Sequence, residues 1–84
     1  MIHSEKEGLA ARAEAIKKGI WLTKSGVRLP LRSLHDAHLI NAYLKALAEG
    51  HPEGITRPLA VEVIRRGLAD RVWSEALWRT KGAN

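Results

Sequence analysis

The stretch GIWLTKSGVRLPLRSLHDAHLINAYLKALAEG, residues 19–50, decides the fold of this chain. Its first part alternates in period two, with Ile20 and Leu22 on one face of a strand and Trp21 on the other. The pair Ser25-Gly26 supplies a turn in which glycine can adopt a positive φ. The stretch therefore predicts a β-hairpin over residues 20–31 that leads directly into an amphipathic helix.

The length of the turn fixes which side chains share a face of this hairpin. A two-residue turn pairs Leu22 with Leu29, which joins the aliphatic faces and leaves Trp21 beside Arg28 on the other side. A three-residue turn with a bulge is the competing option. An isolated two-stranded hairpin is only marginally stable in water, so its apolar face should be covered by helices.

Four helices are predicted around the hairpin. Ser33 with Asp36 fits a capping box at the start of the second helix, and Thr56 can cap the third. Trp73 is expected in the core, whereas Trp78 either covers the edge of the core or anchors an interface. The predicted helices span about residues 4–18, 34–49, 57–66 and 69–80. These elements predict a small α+β domain over residues 1–84, with a two-stranded antiparallel hairpin packed against three to four α-helices.

Length and composition narrow the class of protein. With 84 residues the chain is one small domain, and it contains no cysteine, which excludes disulfides, thiolate chemistry and cysteine-ligated zinc. No apolar run approaches the ~18 residues that a bilayer-spanning helix needs, and the N-terminus lacks the core of a signal peptide. We therefore expect a soluble protein of the cytoplasm, without contact to a membrane.

The positive charge is concentrated in one window of the sequence. The formal net charge is +5 and the pI is about 10.1. Between Glu14 and Asp36 there is no carboxylate, and outside this window the charges nearly cancel. The basic residues inside the window are Lys17, Lys18, Lys24, Arg28 and Arg32. Such a balance favours an acidic partner, which can be a nucleic acid or a protein surface.

One motif resembles a known group of sequences. The pattern Trp21-x-Thr23-x-x-Gly26-x-x-x-Pro30-x-x-x-Leu34-x-x-x-His38-Leu39-x-Asn41 is similar to one found in small uncharacterised phage and prophage proteins. It covers about a third of the chain. Ser25 stands where that family usually has an acidic residue. The resemblance implies phage origin and a hairpin-plus-helix unit, and it implies no reaction.

No residue set predicts an enzyme, a metal site or a cofactor. The serines lack a nucleophile motif, and the carboxylates show no spacing typical of acid–base pairs. Residues of the types that could bind a metal ion lie close together in the sequence at His35, Asp36, His38 and His51. Neither a cysteine nor an HExxH spacing accompanies them. His38 and Asn41 are instead expected to form a hydrogen-bonded pair that ties the helix to the hairpin backbone.

The basic window carries the functional prediction. Its cations beside Trp21 can clamp phosphates or an acidic surface, or they can be solvated charges that protect a strand edge from aggregation. The predicted contact residues are Lys17, Lys18, Trp21, Lys24, Arg28 and Arg32. We expect a non-enzymatic, phage-type accessory protein that binds a host protein or nucleoprotein complex, such as a CRISPR-like defence complex that it inhibits. The alternative is a small nucleic-acid-binding regulator, and either form is a monomer or a homodimer.

Overall fold

A computed structural model of the chain describes residues 5–23 and 25–82, and within them the side chains of residues 8–23 and 25–80. Lys24 lies outside the described residues, as does Ser4, the first residue of the predicted first helix. The elements follow in the order α1 (Glu5–Lys17), β1 (Ile20–Leu22), β2 (Arg28–Pro30), a 3₁₀ turn (Leu31–Ser33), α2 (Asp36–Ala48), α3 (Glu53–Arg65) and α4 (Ala69–Gly82). The strands form one antiparallel two-stranded sheet, so the predicted α+β fold is confirmed.

The core lies between the hairpin and the first three helices. Leu39 on α2 and Ile55 and Leu59 on α3 have no measurable exposure and form its centre. Leu68, which precedes α4, closes one end of the cluster. The other buried members are Ile16, Trp21, Leu31, Leu34, Ile40, Ala42, Ala46 and Val63. Every element before α4 except β2 therefore contributes a buried side chain, and β2 adds the half-buried Leu29.

The hairpin register differs from the one that a two-residue turn predicts. Trp21 pairs with Leu29 and Leu22 pairs with Arg28, which is a slip of one residue. A one-residue slip exchanges the two faces of a strand. Consequently Trp21 points into the core and Arg28 projects from the opposite face, so the prediction that these two side chains lie together is wrong.

The turn itself explains the slip. The backbone N–H of Thr23 donates to the carbonyl of Val27 at 2.9 Å, which leaves three residues, 24–26, between the paired ends. The Val27 N–H donates in turn to the Thr23 hydroxyl at 3.0 Å. Gly26 adopts a φ of 89°, a left-handed conformation that a side chain would strain. The three-residue alternative is thus the one that forms.

Two helix starts also differ from the prediction. The hydroxyl of Ser33 donates to the carbonyl of Pro30 at 2.7 Å within the 3₁₀ turn, so it does not cap α2, which begins at Asp36. The third helix begins at Glu53, directly after Pro52, and therefore four residues before the predicted start at 57. Thr56 lies inside this helix and is not its cap. Proline before a helix supplies a preset φ, which explains the earlier start.

The last helix is attached by a narrow face. Val72 packs partly against the core, but Trp73 is 69% exposed, so the prediction that it is buried is wrong. Leu77 and Trp78 are also exposed. No helix of the described residues is long and apolar enough to cross a membrane.

Candidate functional site

Four exposed cations follow the hairpin from end to end, and we call them the basic strip: Lys17, Lys18, Arg28 and Arg32. The backbone fold brings them together from separate elements. The N–H of Leu31 donates to the carbonyl of Gly19 at 2.8 Å, so the chain around Lys18 and the chain around Arg32 adjoin at one end of the hairpin. Arg28 stands near the other end, opposite Leu22.

No member of the basic strip forms an ion pair with a described side chain, although Lys17 lines one groove with Glu14 and Glu53. None of its four members has a carboxylate oxygen within 4 Å there, whereas every described arginine after residue 50 forms an ion pair. These pairs join Arg57 to Glu53, Arg65 and Arg66 to Glu62, Arg66 and Arg71 to Asp36, and Arg79 to Glu75. In the described part of the chain, the uncompensated positive charge is therefore concentrated in the N-terminal half.

Arg66 holds the part of the strip that contains Arg32. Its side chain is only 12% exposed, and its guanidinium donates to the carbonyls of Leu31, Arg32 and Leu34 at 3.2, 3.1 and 2.6 Å. The same guanidinium donates to Glu62 at 2.7 Å, which anchors it on α3. The Arg32 backbone is thereby fixed to the helical core, although its side chain faces solvent.

Trp21 does not belong to the basic strip. Its side chain is 9% exposed and lies on the face of the hairpin opposite to Arg28. The cation beside its ring is Arg12 of α1, whose guanidinium carbon is 5.5 Å from the ring centroid. Sequence analysis missed Arg12, because it lies outside the basic window and nothing in the sequence indicates which helix covers the hairpin.

A cavity of about 200 Å³ opens beside Trp21, between α1, β1 and α2. Four of its lining residues are positions of the phage-type motif, namely Trp21, Thr23, His38 and Asn41. The remaining lining residues are Arg12, Leu22, Ala42, Lys45, Ala46, Glu49 and His51. We call this the motif cavity. It joins parts of the motif that are fifteen or more residues apart in sequence.

The polar groups of the motif cavity are incompletely paired within the described residues. The Asn41 side-chain oxygen accepts from Arg79 at 2.9 Å, and His38 makes no hydrogen bond to it, so the predicted His38–Asn41 pair is wrong. His51 Nε2 contacts the Glu49 carboxylate at 3.0 Å. Arg12 Nε and His51 Nδ1 are buried and have no hydrogen-bond partner there. Buried polar groups are usually paired, so these two atoms need a partner from outside the described residues, such as water or a ligand.

Metal-ligating residue types do not converge in the described part of the chain. No group of three or more histidine, aspartate or glutamate side chains lies close enough there to hold an ion. His35 precedes α2 at its N-cap, whereas His38 and His51 line the motif cavity.

Compared with known protein families, with curated proteins and with solved structures, the chain has no significant match. The phage-type resemblance therefore stays a prediction.

Proposed function

We propose that the chain is a non-enzymatic, phage-type accessory protein that acts by binding. Its basic strip docks on the anionic surface of a host nucleoprotein complex and occludes that surface, as an inhibitor of a defence complex would. The observation that supports this proposal is the contrast between the four unpaired cations of the strip and the paired arginines of α3 and α4.

The contrast favours binding over surface solvation alone. An arginine paired with a carboxylate at the surface gains only ~0–1 kcal/mol from that pair. The carboxylate nevertheless cancels most of the positive potential that an acidic partner would meet there. A group of like charges without counter-ions attracts an acidic partner and accelerates its association. Lys17, Lys18, Arg28 and Arg32 have that property, and the hydrogen bonds of Gly19 and Arg66 keep their backbones in place.

Direct binding to nucleic acid is the second candidate function, and the position of Trp21 limits the kind of nucleic acid that the chain could bind. Because Trp21 is buried, it cannot stack on the bases of a single strand as aromatic platforms do. The strip is left with contacts to phosphates, which carry no sequence information and are typical of duplex binding.

Fluorescence anisotropy against labelled duplex DNA, single-stranded DNA and RNA over a salt series separates the two candidates. Four phosphate contacts on duplex DNA predict a slope of about −3.6 in log K against log salt. That slope supports direct binding to nucleic acid. An anisotropy that does not change with protein concentration, even at low salt, favours the nucleoprotein target. In the latter case, a tagged chain should capture a complex from host lysate with and without nuclease treatment.

The substitution Arg28→Glu tests the strip in both experiments. Arg57→Glu is the matched control, since it makes the same charge change at an exposed arginine that is already paired with Glu53. We expect Arg28→Glu to reduce binding about tenfold or more, and Arg57→Glu to change it less than threefold. Equal losses in the two variants would show that the net charge, and not the strip, determines binding.

A further inference from the structure

The motif cavity is a second feature that the basic strip does not explain. We propose that it is a ligand site for a phosphomonoester of sugar-phosphate or mononucleotide size. This inference is independent of the proposed function, because none of the four residues of the basic strip lines the cavity.

The dimensions of the cavity limit the ligand to a small molecule. Its volume of about 200 Å³ is below the ~300–1,000 Å³ that is usual for drug-sized ligands, so a sugar phosphate can fill it, whereas the base of a mononucleotide must extend out of the cavity. The floor is apolar, with Trp21, Ala42 and Ala46 buried in it, and the rim is polar. An apolar floor with a few convergent polar groups is the common construction of a small-molecule site.

The charges around the cavity favour an anionic ligand. Arg12 and Lys45 line it, and neither has a carboxylate oxygen within 4 Å among the described side chains. The one carboxylate of the lining, Glu49, is held by His51 at 3.0 Å. A phosphomonoester carries about −1.5 to −2 charges at neutral pH. Arg12 and Lys45 exceed the one carboxylate of the lining by a single positive charge, and their N–H groups can donate to the phosphate oxygens. Guanidinium and ammonium groups are the usual protein partners of phosphate.

The remaining rim residues suit the organic part of such a ligand. Asn41 already accepts from Arg79 through its oxygen, so its amide nitrogen is left to donate to a ligand. His38 can donate or accept, which fits a hydroxyl group of a sugar. The Thr23 hydroxyl already accepts from the Val27 N–H and contacts the Ser25 hydroxyl, so it keeps at most one further hydrogen bond for a ligand. His38 and Asn41 are exposed, so packing of the core does not account for their convergence on the cavity.

Titration of the ¹⁵N-labelled chain with adenosine 5′-monophosphate and with ribose 5-phosphate tests the site, with calorimetry in parallel. We expect saturable shifts of the amides of Thr23, His38 and Asn41 and of the Trp21 indole. Adenosine without phosphate should bind at least tenfold more weakly than the monophosphate, because a charge-assisted contact is lost.

The variant Lys45→Gln removes one cation from an exposed position of α2, so we expect it to fold normally. It should weaken binding of both phosphates about tenfold or more, whereas Lys18→Gln, which makes the same charge change outside the cavity, should leave binding unchanged. Arg12→Lys keeps the charge but lacks the two-pronged geometry, so an intermediate loss is expected.

Several results would overturn the site. They are the absence of shifts at about 1 mM of either phosphate, equal binding by Lys45→Gln and the unmodified chain, equal affinity for adenosine and its monophosphate, and shifts confined to the basic strip. The variant Arg28→Glu should bind both phosphates normally. A loss of macromolecular binding in that variant, with phosphate binding retained, would confirm that the strip and the cavity are separate sites.

Discussion

Glu62 is the one charged side chain that is buried among the described residues, and two arginines surround it. Arg65 donates to its two oxygens at 2.9 and 2.6 Å, and Arg66 donates at 2.7 Å. The hydrogen bonds from Arg65 are the largest cause that lowers the pKa of Glu62 to about 2, against the opposing effect of burial. Glu62, Arg65 and Arg66 therefore form a structural clamp.

The contacts of Glu62 with Arg65 and Arg66 predict a contribution to stability that is lost in acid. The pKa of Glu62 is lower in the folded chain than its ordinary value of 4.5, so its stabilisation is complete above pH 4.5 and is lost as the pH falls towards 2. We expect Glu62→Gln to lower the free energy of unfolding by about 1–3 kcal/mol at pH 7, because Arg66, whose side chain is only 12% exposed, then loses Glu62 and keeps its more exposed pair with Asp36. The variant should also flatten the acid side of the stability curve.

Urea denaturation from pH 7 down to pH 2 measures both effects. Glu75→Gln is the control, since Glu75 forms an exposed pair with Arg79 at 3.5 Å and should contribute less than about 1 kcal/mol. If the two variants lose equal stability at pH 7, the clamp has no special role.

At the scale of the element, the hairpin shows why its existence was predictable and its orientation was not. Both faces of β1 are apolar, since Ile20 and Leu22 alternate with Trp21, so period two does not decide which face is buried. The turn decides it, through hydrogen bonds between Thr23 and Val27 that residue types alone do not specify. The four helices were predictable because their apolar periodicity is long, whereas their starts depend on short local contacts.

The two candidate sites also differ in whether the sequence predicts them. The basic strip was predictable, since a window without carboxylates is visible in the sequence. The motif cavity was not, because it needs Arg12 from α1 and Lys45 from α2 to meet across the hairpin. Because Trp21 is buried, it is not part of the strip. It lines the motif cavity instead, together with Thr23, His38 and Asn41 of the same motif.

Two of the three tryptophans, Trp21 and Trp73, give a direct test of the hairpin orientation. Trp21→Ala should lower the free energy of unfolding by about 3–5 kcal/mol, the usual cost for a buried aromatic side chain. Trp73→Ala, at a side chain that is 69% exposed, should cost less than about 1 kcal/mol. Chemical denaturation of the two variants measures this, and a larger loss for Trp73→Ala would mean that Trp21 does not face the core.

At the scale of the whole molecule, the described structure consists of a packed body and a loosely attached last helix. The radius of gyration of 13.2 Å exceeds the ~12 Å expected for a compact domain of this length. The buried cluster ends at Leu68, and α4 adds only partly buried side chains such as Val72. Its polar attachments are Arg71 to Asp36 at 3.7 Å and Arg79 to Asn41 at 2.9 Å.

Because little apolar surface of α4 is buried, we expect this helix to open before the rest of the chain unfolds. Native-state hydrogen exchange should give residues 72–80 an opening free energy roughly 2 kcal/mol below that of α2 and α3. The variant Val72→Ala should increase the difference, whereas Leu77→Ala, at a half-exposed position, should not. Since Arg79 holds the Asn41 oxygen, opening of α4 also frees a rim residue of the motif cavity. Equal protection of α4 and α2 would show that the last helix belongs to the same cooperative unit as the core.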